Sequence, residues 1–476
     1  MNLTEAQIAA IVENVVSKLA EEGAFEKAAT GGVAAGDGVF PDVDSALRAA
    51  ELAHRELDAQ TLDKRREIVA VIRRAAEENV ETLARMAADE TKLGRYDDKI
   101  KKNLCVAQLT PGPEDLKPIV FTGDHGLTLV ERAPYGVIGS ITPCTNPSET
   151  IICNGIGMIA GGNSVVFNPH PSAKAVSAYT VRLLNKAIVA VGGPRNLLCS
   201  VAEPTQESAQ KMMTHPKVKL LVVTGGGGVV KAAMNSGKKA ICAGPGNPPV
   251  VVDETADIAK AARDIVAGAS LDNNIICVDE KEVIAVDSIA DALKAAMLRC
   301  GAYELTGRDI ERLTNLVIKE RNAPPHESVV DKKWVGKDAA LILKELGVSA
   351  PADPRLILID VERDHPLLWT EQLMPVLPMT RVRTADEGIT LALEMEHGYR
   401  HTASMFSRNI EKLSKMARVV NCSIFVKNGP NYAGLGLGGE GYTSFTIASP
   451  TGEGLTSAKD FTRVRRCTLV DYFRIV

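Results

Sequence analysis

The fold is decided by the stretch Val137-Ile-Gly-Ser-Ile141, the helical residues 149–160 and the run Ser164-Val-Val-Phe167. Two short runs rich in β-branched residues, separated by an apolar segment of helical length, predict a β-α-β unit. The alternation continues with a helix over 172–191 and strands over 196–201 and 219–224. Strands that alternate with helices predict an open parallel sheet with helices on both faces, so the predicted fold class is α/β.

The alternation of strands and helices is repeated after this unit, whereas the residues before it and at the end of the chain show other patterns. A second α/β domain is predicted from strand-like runs at 250–253, 283–286, 356–359 and 423–427. Upstream, the proline-free residues 43–103 predict two or three helices, and residues 119–131 predict a β-hairpin. The apolar end of the chain, residues 463–476, predicts a strand that pairs with a neighbouring sheet edge and therefore oligomerisation.

The first twenty residues predict a short amphipathic helix that stands apart from the main body. Apolar side chains recur at helical spacing at Ile8, Ile11, Val12, Val15, Val16 and Leu19. Residues 21–40 contain a glycine-rich, flexible linker. A helix on a tether is typical of a docking peptide. The alternative is a helix that folds back on its own domain.

Composition excludes several classes of partner. The chain has 476 residues, enough for two or three domains, and a net charge of −4 that gives no basis for binding nucleic acid or an anionic membrane. No run approaches the ~20 apolar residues of a membrane helix. Nine cysteines without a CxxC pair indicate reduced thiols of the cytoplasm. Eight histidines without an HExxH motif or a Cys/His cluster indicate no metal site.

One cysteine is the candidate nucleophile. In Ser270-Leu-Asp-Asn-Asn-Ile-Ile-Cys277 the thiol follows an amide-rich run and precedes the strand-like residues 283–286. This position predicts a thiol close to solvent and substrate, as a reactive thiolate must be. Asn273 and Asn274 are candidate hydrogen-bond donors to developing negative charge. The alternative is a buried cysteine that packs as a small hydrophobe.

Glycine-rich turns are candidate binding loops. The glycines at 225–228 follow the strand that ends at Thr224, and backbone amides at a helix start approach a phosphate closely when side chains are absent. Because the spacing does not match GxGxxG, a tight turn without a ligand is the alternative. A second loop, residues 434–441, either cradles a ligand or crosses a tight packing site.

Longer motifs carry a resemblance that covers nearly the whole chain. It rests on Pro134-Tyr-Gly-Val-Ile-Gly139, Pro143-Cys-Thr-Asn-Pro147, Gly161-Gly-Asn-Ser-Val-Val-Phe167, Val223-Thr-Gly-Gly226, Ala243-Gly-Pro-Gly-Asn-Pro-Pro249 and Glu371-Gln-Leu-Met-Pro-Val376. In this order the motifs resemble the aldehyde dehydrogenase superfamily. Residues 425–430, 433–441 and 450–454 resemble its CoA-acylating branch, nearest to the acetaldehyde dehydrogenases of ethanolamine utilisation and the related propionaldehyde dehydrogenases of bacterial microcompartments. The implied reaction converts an aldehyde, NAD+ and coenzyme A to acyl-CoA and NADH.

The resemblance also implies an organisation. It implies a Rossmann-type NAD-binding domain over 41–242, a catalytic α/β domain over 243–455 and a small β oligomerisation element. That element consists of the hairpin 119–132 and the strand 456–476, and it implies a homodimer or homotetramer. The implied location is the cytoplasm, inside a bacterial microcompartment whose shell protein binds the helix over 1–20.

The resemblance also implies the catalytic residues, one sequence position at a time. Cys277 falls on the family's nucleophile, and Glu371 falls on the acid that holds the ribose hydroxyls on the nicotinamide side. The family's oxyanion asparagine falls on Thr145; we favour Asn146, one place later, as the amide donor, with the Thr145 hydroxyl as the alternative. His401 matches a histidine near the active site of acylating relatives and is a candidate base for the CoA thiol. The alternative is a satisfied surface or core histidine.

The cofactor-binding residues are implied in the same way. Thr224 and Gly225 face the pyrophosphate, and the other implied positions are Thr142, Pro143, Gly226 and Gly244. Asn168 stands where hydrolytic members carry a lysine at the adenosine ribose, so the choice between NAD and NADP stays open. His170 and Lys174 either contact phosphates of CoA or NAD, or form a helix cap with a solvated lysine.

The residue at position 242 distinguishes hydrolysis of the acyl-enzyme from acyl transfer to CoA. Hydrolytic relatives carry a glutamate there that activates water, and without such a base water is a poor nucleophile towards the acyl-enzyme. CoA is a thiol, which is partly ionised at pH 7 and intrinsically nucleophilic. The substitution favours acyl transfer to CoA. The alternatives are a hydrolytic aldehyde dehydrogenase and a non-catalytic microcompartment cargo protein, and Cys242 is itself a second candidate reactive thiol.

Overall fold

Two parallel β-sheets, built one after the other along the chain, carry the candidate residues. The computed structural model describes residues 37–350 and 353–476. The predicted docking helix over 1–20 lies outside the described residues, as does most of the predicted linker over 21–40. The end of that linker is a correction, because Val39–Phe40 form a strand whose backbone pairs with Ser200 and Val201.

The elements of the described residues are as follows. The α-helices are α1 Val43–Asp58, α2 Leu62–Glu78, α3 Val80–Thr91, α4 Tyr96–Leu109, α5 Pro147–Ala160, α6 Lys174–Ala190, α7 Gln206–Thr214, α8 Gly227–Met234, α9 Ile258–Ala269, α10 Asp287–Arg299, α11 Arg308–Val317, α12 Ala339–Glu345, α13 Ala385–Met395 and α14 Ile410–Val420. Short 3-10 helices lie at Pro113–Asp115, Pro171–Ala173, Leu271–Asn274, Pro366–Trp369, Asn431–Leu435 and Ala458–Phe461.

The strands are β1 Val39–Phe40, β2 Ile119–Gly123, β3 Gly126–Pro134, β4 Val137–Thr142, β5 Ser164–Pro169, β6 Leu198–Val201, β7 Val218–Thr224, β8 Ala240–Ala243, β9 Pro249–Val252, β10 Glu282–Val286, β11 Ala302–Leu305, β12 Ile318–Glu320, β13 Val329–Val330, β14 Leu356–Asp360, β15 Val376–Val382, β16 Thr402–Phe406, β17 Ile424–Lys427, β18 Ile447–Ala448, β19 Gly454–Leu455 and β20 Thr462–Val470. The elements predicted between 137 and 224 are confirmed to within two residues, and α7 is a helix that was not predicted.

The helical region before the first hairpin contains more helices than the pattern predicts. Residues 43–109 form the four helices α1 to α4, whereas the sequence predicts two or three. Asn79 is the residue that breaks the pattern, because it ends α2 and begins α3 with a non-helical backbone conformation. No glycine or proline marks this helix boundary, so the helical periodicity of the sequence continues through it and does not reveal it.

The first sheet has the strand order β1-β6-β5-β4-β7-β8, with all neighbours parallel. From β4 the chain proceeds to β5 and β6 on one side, and β7 and β8 lie on the other side. The order therefore reverses between β4 and β7. In open α/β sheets ligands bind beyond the carboxyl ends of the strands at such a point. Thr142 ends β4 and Thr224 ends β7.

The second sheet has the order β11-β14-β15-β10-β9-β16-β17 and is also parallel. Its central strands are fully buried, and helices cover both faces with two separate apolar clusters. The chain passes from the first sheet to the second between Ala243 and Pro249. Residues 38–476 form one compact unit, and the division into domains at 242–243 stays a prediction.

A third, antiparallel sheet combines the predicted hairpin with the end of the chain. β2 pairs with β3, and β3 pairs with β20 from Thr462 to Val470. The strand ends at Val470, so residues 471–476 do not continue it as the sequence predicts. Apolar side chains on this sheet stay exposed at Ile119, Val120, Phe121, Val464, Leu469 and Val470.

Asn163 joins three parts of the first sheet. Its Oδ1 accepts hydrogen bonds from the backbone of Tyr135 and Gly136 at 2.8 and 3.2 Å. Its Nδ2 donates to the carbonyl oxygens of Met158 and Phe461, both at 2.9 Å. The side chain is fully buried, so water cannot replace the hydrogen bonds that it makes with these four backbone groups.

We expect Asn163→Ala to lower the free energy of unfolding by about 3 kcal/mol, because each buried polar group left without a partner costs about 1–3 kcal/mol. The measurement is the midpoint of urea denaturation. Asn315→Ala is the control, because Asn315 is exposed and its Nδ2 donates only to Glu311 within one helix turn. Equal midpoints for the two variants would contradict this role of Asn163.

Candidate active site

Three candidate residues and one glycine that was not predicted lie at one edge of the second sheet. Gly246 precedes β9, Cys277 precedes β10, Glu371 precedes β15 and His401 precedes β16. These four strands are neighbours in the order β15-β10-β9-β16. Because the strands are parallel, their amino ends meet at the same edge. The second sheet therefore presents its reactive groups before its strands, whereas ligand sites of open α/β sheets usually lie after them.

The loop before Cys277 has an unusual backbone. Asp272, Asn273 and Asn274 all have positive φ values of 47°, 56° and 64°. Left-handed residues in succession cost energy and persist only where neighbouring groups hold them. Asn273 Nδ2 donates to Gly336 O and Asp338 Oδ1 at 3.0 Å.

Asn274 holds the same loop from the other side. Its Nδ2 donates to the carbonyl oxygens of Ala269 and Glu280, both at 2.8 Å. The prediction that Asn273 and Asn274 donate to developing negative charge is therefore wrong, because their amide hydrogens stabilise the loop itself.

The charged run after Cys277 is buried, not solvated. Lys281 Nζ donates to the carbonyl oxygens of Asn274 and Ile276 at 3.2 and 3.0 Å, which fixes the residues directly before the thiol. Burial raises the pKa of Glu280 to about 8 and raises that of Glu282 well above its usual value. Glu280 is therefore mostly neutral at pH 7.

Cys277 itself is half-buried. Burial and, next, repulsion by the Glu371 carboxylate raise the pKa of its thiol to about 12, and nearby Lys281 acts in the opposite direction. The thiol is therefore protonated at pH 7 in the protein alone. Burial likewise raises the pKa of Glu371 to about 7, so its charge changes near neutrality.

Gly246 is the point at which the predicted catalytic residues meet. Its backbone N–H donates to Glu371 Oε1 at 3.2 Å. A Cβ atom at this position would lie 2.8 Å from His401 Cγ and 3.1 Å from the carbonyl oxygen of Cys277. The three predicted residues therefore surround one glycine, and no side chain fits there. The sequence motif at 243–249 contains this glycine, but nothing in the motif distinguishes it from Gly244.

His401 has one free ring nitrogen. Its Nδ1 lies 2.9 Å from Thr402 Oγ1, and its backbone N–H donates to Glu396 Oε1 at 3.0 Å. Nε2 is buried and has no hydrogen-bond partner. Burial and, less strongly, Lys281 lower the pKa of the imidazole to about 3. The ring is therefore neutral, and with hydrogen on Nδ1 its Nε2 is a proton acceptor.

Thr145 and Asn146 lie where β4 leads into α5. Asn146 Nδ2 donates to Thr145 Oγ1 at 3.2 Å. Asn146 Oδ1 accepts from Lys102 Nζ at 2.6 Å. Lys102 Nζ also contacts Asp272 Oδ2 at 2.5 Å and Glu149 Oε1 at 3.2 Å. Because Asp272 belongs to the loop that leads to Cys277, this lysine connects the two candidate donors with the nucleophile loop.

Sequence reasoning missed this buried cluster. Lys99 Nζ is a second contact of Asp272 Oδ2, at 3.0 Å, and all four ions are at most 1% exposed. Lys99 and Lys102 are separated from Asp272 by 173 and 170 positions along the chain. Only the unusual burial of the two lysines identifies them as members of the cluster. No periodic pattern in the sequence predicts that burial.

The carboxyl edge of the first sheet fits a dinucleotide. Thr142 Oγ1 is buried without a hydrogen-bond partner, and Pro143 follows it. The Thr224 hydroxyl lies 3.1 Å from Thr446 Oγ1, and the Gly225 N–H donates to Ala243 O at 3.1 Å.

Space for an anion opens directly beyond this edge. Helix α8 starts after Gly226, and a Cβ atom at Gly226, Gly227 or Gly228 would meet nothing within 4 Å. An open helix start with free backbone amides suits a pyrophosphate.

The other predicted cofactor residues have local partners. Asn168 Oδ1 accepts from Ser208 Oγ at 2.5 Å, and His170 Nδ1 accepts from the Ser172 N–H at 3.1 Å, which is the helix cap that was the alternative. Lys174 Nζ pairs with Glu203 at 2.5 Å. These residues lie along the edge after β5, next to Thr142, and each has its polar group engaged within the protein.

Cys242 is fully buried in the apolar cluster of the first sheet. Burial and, next, the Glu453 carboxylate raise the pKa of its thiol to about 11, whereas that of Cys277 is about 12. The complete burial of the Cys242 side chain, and not its pKa, argues against a second reactive thiol. Its backbone N–H donates to Thr451 Oγ1, whose hydroxyl donates to Glu453 Oε2 at 2.5 Å. Pro450 of the same turn packs against Gly244, where a Cβ atom would lie 3.0 Å from Pro450 Cγ. Sequence reasoning missed Glu453.

The described residues contain neither a cluster of metal ligands nor a membrane-spanning helix. Within 37–350 and 353–476, no three His, Cys, Asp or Glu side chains come together as a site for a metal ion. In the same ranges, every helix is too short or too polar to cross a membrane.

The similarities to known proteins agree with this geometry. The aldehyde dehydrogenase family matches residues 25–464. The acetaldehyde dehydrogenase (acetylating) of Bilophila wadsworthia is 50% identical over 488 aligned residues, which cover 100% of both chains. The crystal structure of Rhodopseudomonas palustris propionaldehyde dehydrogenase, with bound CoA and an acylated cysteine, is 51% identical with a TM-score of 0.88, covering 91% of this chain and 98% of that chain.

A propionaldehyde dehydrogenase from the fucose utilisation bacterial microcompartment of Clostridium phytofermentans is 48% identical, with a TM-score of 0.89 and coverage of 92% of this chain and 100% of that chain. These matches confirm the predicted fold class. With the family match over most of its length, this chain belongs to the aldehyde dehydrogenase family.

Proposed function

We propose that the chain is a CoA-acylating aldehyde dehydrogenase that converts acetaldehyde or propionaldehyde, NAD+ and CoA to acyl-CoA and NADH. The observation that carries the proposal is the arrangement of Cys277, Glu371 and His401 around Gly246. It combines a nucleophile, an acid for ribose hydroxyls and a neutral imidazole in one site. The relatives named acetaldehyde dehydrogenase (acetylating) and propionaldehyde dehydrogenase support the same reaction class.

The first half of the reaction forms a thioester on Cys277. Its thiolate attacks the aldehyde carbonyl, and the resulting oxyanion receives hydrogen bonds from the Cys277 N–H and from Asn146 or Thr145. One such donor is typically worth ~2.7–4 kcal/mol of barrier. The glycines after Thr224 and the Glu371 side chain would hold NAD+, which would supply the hydride acceptor. Loss of hydride from the substrate carbon leaves the acyl group on sulfur.

The second half transfers the acyl group to CoA. His401 Nε2 accepts the proton of the CoA thiol, and the CoA thiolate attacks the thioester while Cys277 leaves as a thiolate. His401 Nε2 is buried without a hydrogen-bond partner, which leaves it open to this proton. Water competes poorly because position 242 carries a protonated thiol and not a carboxylate. The exchange of one thioester for another is nearly isoenergetic, so the reaction runs in both directions.

A cavity of about 600 Å³ lies beside the nucleophile loop, but Cys277, Glu371 and His401 do not line it. Ser270 and Leu271, which begin the turn that leads to Cys277, belong to its wall. Its wall combines apolar side chains with charged ones, namely Asp98, Lys101, Arg263 and Arg355, so it does not identify the aldehyde. One methylene changes binding by only ~1–3 kcal/mol, so acetaldehyde and propionaldehyde are both substrates and differ in rate.

The assembly follows from the third sheet and the start of the chain. Ile119 and Phe121 of β2 and Val464 and Val470 of β20 are exposed on one face of the third sheet, which a second copy would cover in a homodimer or homotetramer. The predicted amphipathic helix over 1–20 binds a shell protein of a bacterial microcompartment, so the enzyme works inside that compartment. The microcompartment relative supports this location.

NADH formation from acetaldehyde and propionaldehyde should be sustained only when CoA is present, because nothing at Cys242 activates water. Absorbance at the NADH band, with and without CoA, measures this. Cys277→Ala should abolish turnover, and Cys300→Ala, which alters an exposed cysteine, should not. Equal turnover without CoA would identify a hydrolytic enzyme, with Glu453 as the nearest carboxylate to replace the missing base.

We expect Glu371→Gln to accelerate alkylation of Cys277 by iodoacetamide roughly tenfold at pH 8.5, as a pKa lower by about one unit would do. The reason is that a neutral amide does not repel the thiolate. Below pH 6 the variant and the wild type should react alike, because Glu371, with a pKa of about 7, is then protonated in the wild type. The KM for NAD+ should rise. Glu453→Gln is the control, and a rate ratio independent of pH would refute this coupling.

Deletion of residues 1–20 should leave the NADH-forming rate unchanged and abolish co-purification with shell proteins, because the predicted helix serves docking and not catalysis. Pull-down with purified shell proteins, alongside the activity assay, measures both. Loss of activity with unchanged shell binding would contradict the docking role.

A further inference from the structure

The geometry points to a positioning role for Lys102: it orients and polarises the side-chain amide of Asn146, and through it the hydroxyl of Thr145, towards the oxyanion formed on the Cys277 adduct. The inference rests on the proposed function, since it concerns the donors that serve that oxyanion. Lys102 does not touch the substrate, and it acts through Asn146.

The orientation of the amide follows from what Lys102 can do. An ammonium group only donates hydrogen bonds, so the Asn146 atom 2.6 Å from Lys102 Nζ is the acceptor Oδ1. The amide nitrogen therefore faces the other way. One of its hydrogens points to Thr145 Oγ1 at 3.2 Å, and the second hydrogen stays available. Without Lys102 the amide has no charged group that determines this orientation.

The same contacts also make Asn146 and Thr145 stronger hydrogen-bond donors. A hydrogen bond from an ammonium group to Oδ1 withdraws electron density from the amide, which makes its N–H groups stronger donors. Thr145 Oγ1 accepts one of these N–H groups, and its own hydroxyl hydrogen then becomes a stronger donor in turn. Lys102, Asn146 and Thr145 thus form a relay, and it serves the oxyanion through whichever of the last two residues makes the final contact.

The burial of Lys102 keeps the relay charged. Although burial alone would lower it, the carboxylates of Asp272 and Glu149 raise the pKa of Lys102, so the ammonium form persists. The side chain is 1% exposed, and both carboxylates are fully buried. A charge in such a low-dielectric site acts more strongly on a neighbouring dipole than it would in water.

Lys99 provides a matched comparison in the same cluster. It is as deeply buried as Lys102 and also contacts Asp272 Oδ2. The contacts of Asn146 in the described residues include Lys102 but not Lys99. Burial and repulsion by Lys102 lower the pKa of Lys99. A purely structural role of the cluster predicts similar losses for both lysines, whereas the relay predicts a specific loss for Lys102.

The test is the pre-steady-state burst of NADH at saturating aldehyde and NAD+, which reports formation of the acyl-enzyme. We expect Asn146→Ala to slow the burst about 100-fold, in the range of a lost oxyanion donor. Lys102→Met should slow it at least tenfold, with the KM for NAD+ and CoA unchanged. Lys99→Met should have less than a threefold effect, and Lys102→Arg, which keeps charge and donors, should recover part of the rate.

The double variant separates positioning from folding. In an Asn146→Ala background, Lys102→Met should slow the burst less than threefold further, because its target is gone. Alkylation of Cys277 by iodoacetamide needs no oxyanion donor, so Lys102→Met should leave that rate unchanged. Equal losses for both lysines, or a full loss from Lys102→Met in the Asn146→Ala background, would overturn the relay.

Two further results complete the test. If Lys102→Met does not fold, the pair Lys102→Met/Glu149→Gln against Glu149→Gln replaces it, because that pair removes the ion together with one of its partners. A wild-type enzyme that forms no NADH from either aldehyde would reject the proposed function itself, whereas a normal wild-type burst with equal lysine variants rejects only the relay.

Discussion

The ammonium group of Lys102, buried between Asp272 and Glu149, is the interaction on which the arrangement of the site depends. It lies on helix α4, whereas Glu149 begins the helix after β4 and Asp272 lies in the loop before β10. One side chain thus joins the first sheet to the nucleophile loop of the second. Removing one partner of a buried ion pair leaves an uncompensated charge at a cost of ~3–5 kcal/mol. The cluster therefore favours one relative position of donor and nucleophile.

Two neighbouring sheets use opposite edges for one reaction. The first sheet offers the loops after β4 and β7, where free backbone amides suit a pyrophosphate. The second sheet offers the residues before four adjacent strands, where Cys277, Glu371 and His401 surround Gly246. The carboxyl edge of the first sheet meets the amino edge of the second sheet. The hydride acceptor can therefore approach from the first sheet and the nucleophile from the second. Neither layer then has to provide both binding and chemistry.

Local patterns predicted much of this and failed where the outcome depends on distant contacts. The β-α-β alternation from 137 to 224 predicts its elements to within two residues, because apolar runs and their lengths are local properties. The roles of Asn273 and Asn274 were predicted wrongly, because a sequence does not show that three left-handed residues need those amides. Lys102 and Asp272 are 170 positions apart. No window of residues contains both, so their pairing was not predictable from periodicity.

The environment of Cys277 shows why the donors matter so much in this site. The charged run after it is buried, and burial raises the pKa of Glu280 to about 8 and that of Glu282 well above its usual value. The thiol, with a pKa of about 12, is neutral until the reaction begins. In the proposed reaction, negative charge then arises on the substrate oxygen in a region of low dielectric, where water does not stabilise it. Stabilisation must come from fixed dipoles, and a dipole fixed by a buried ammonium needs no reorganisation when the charge appears.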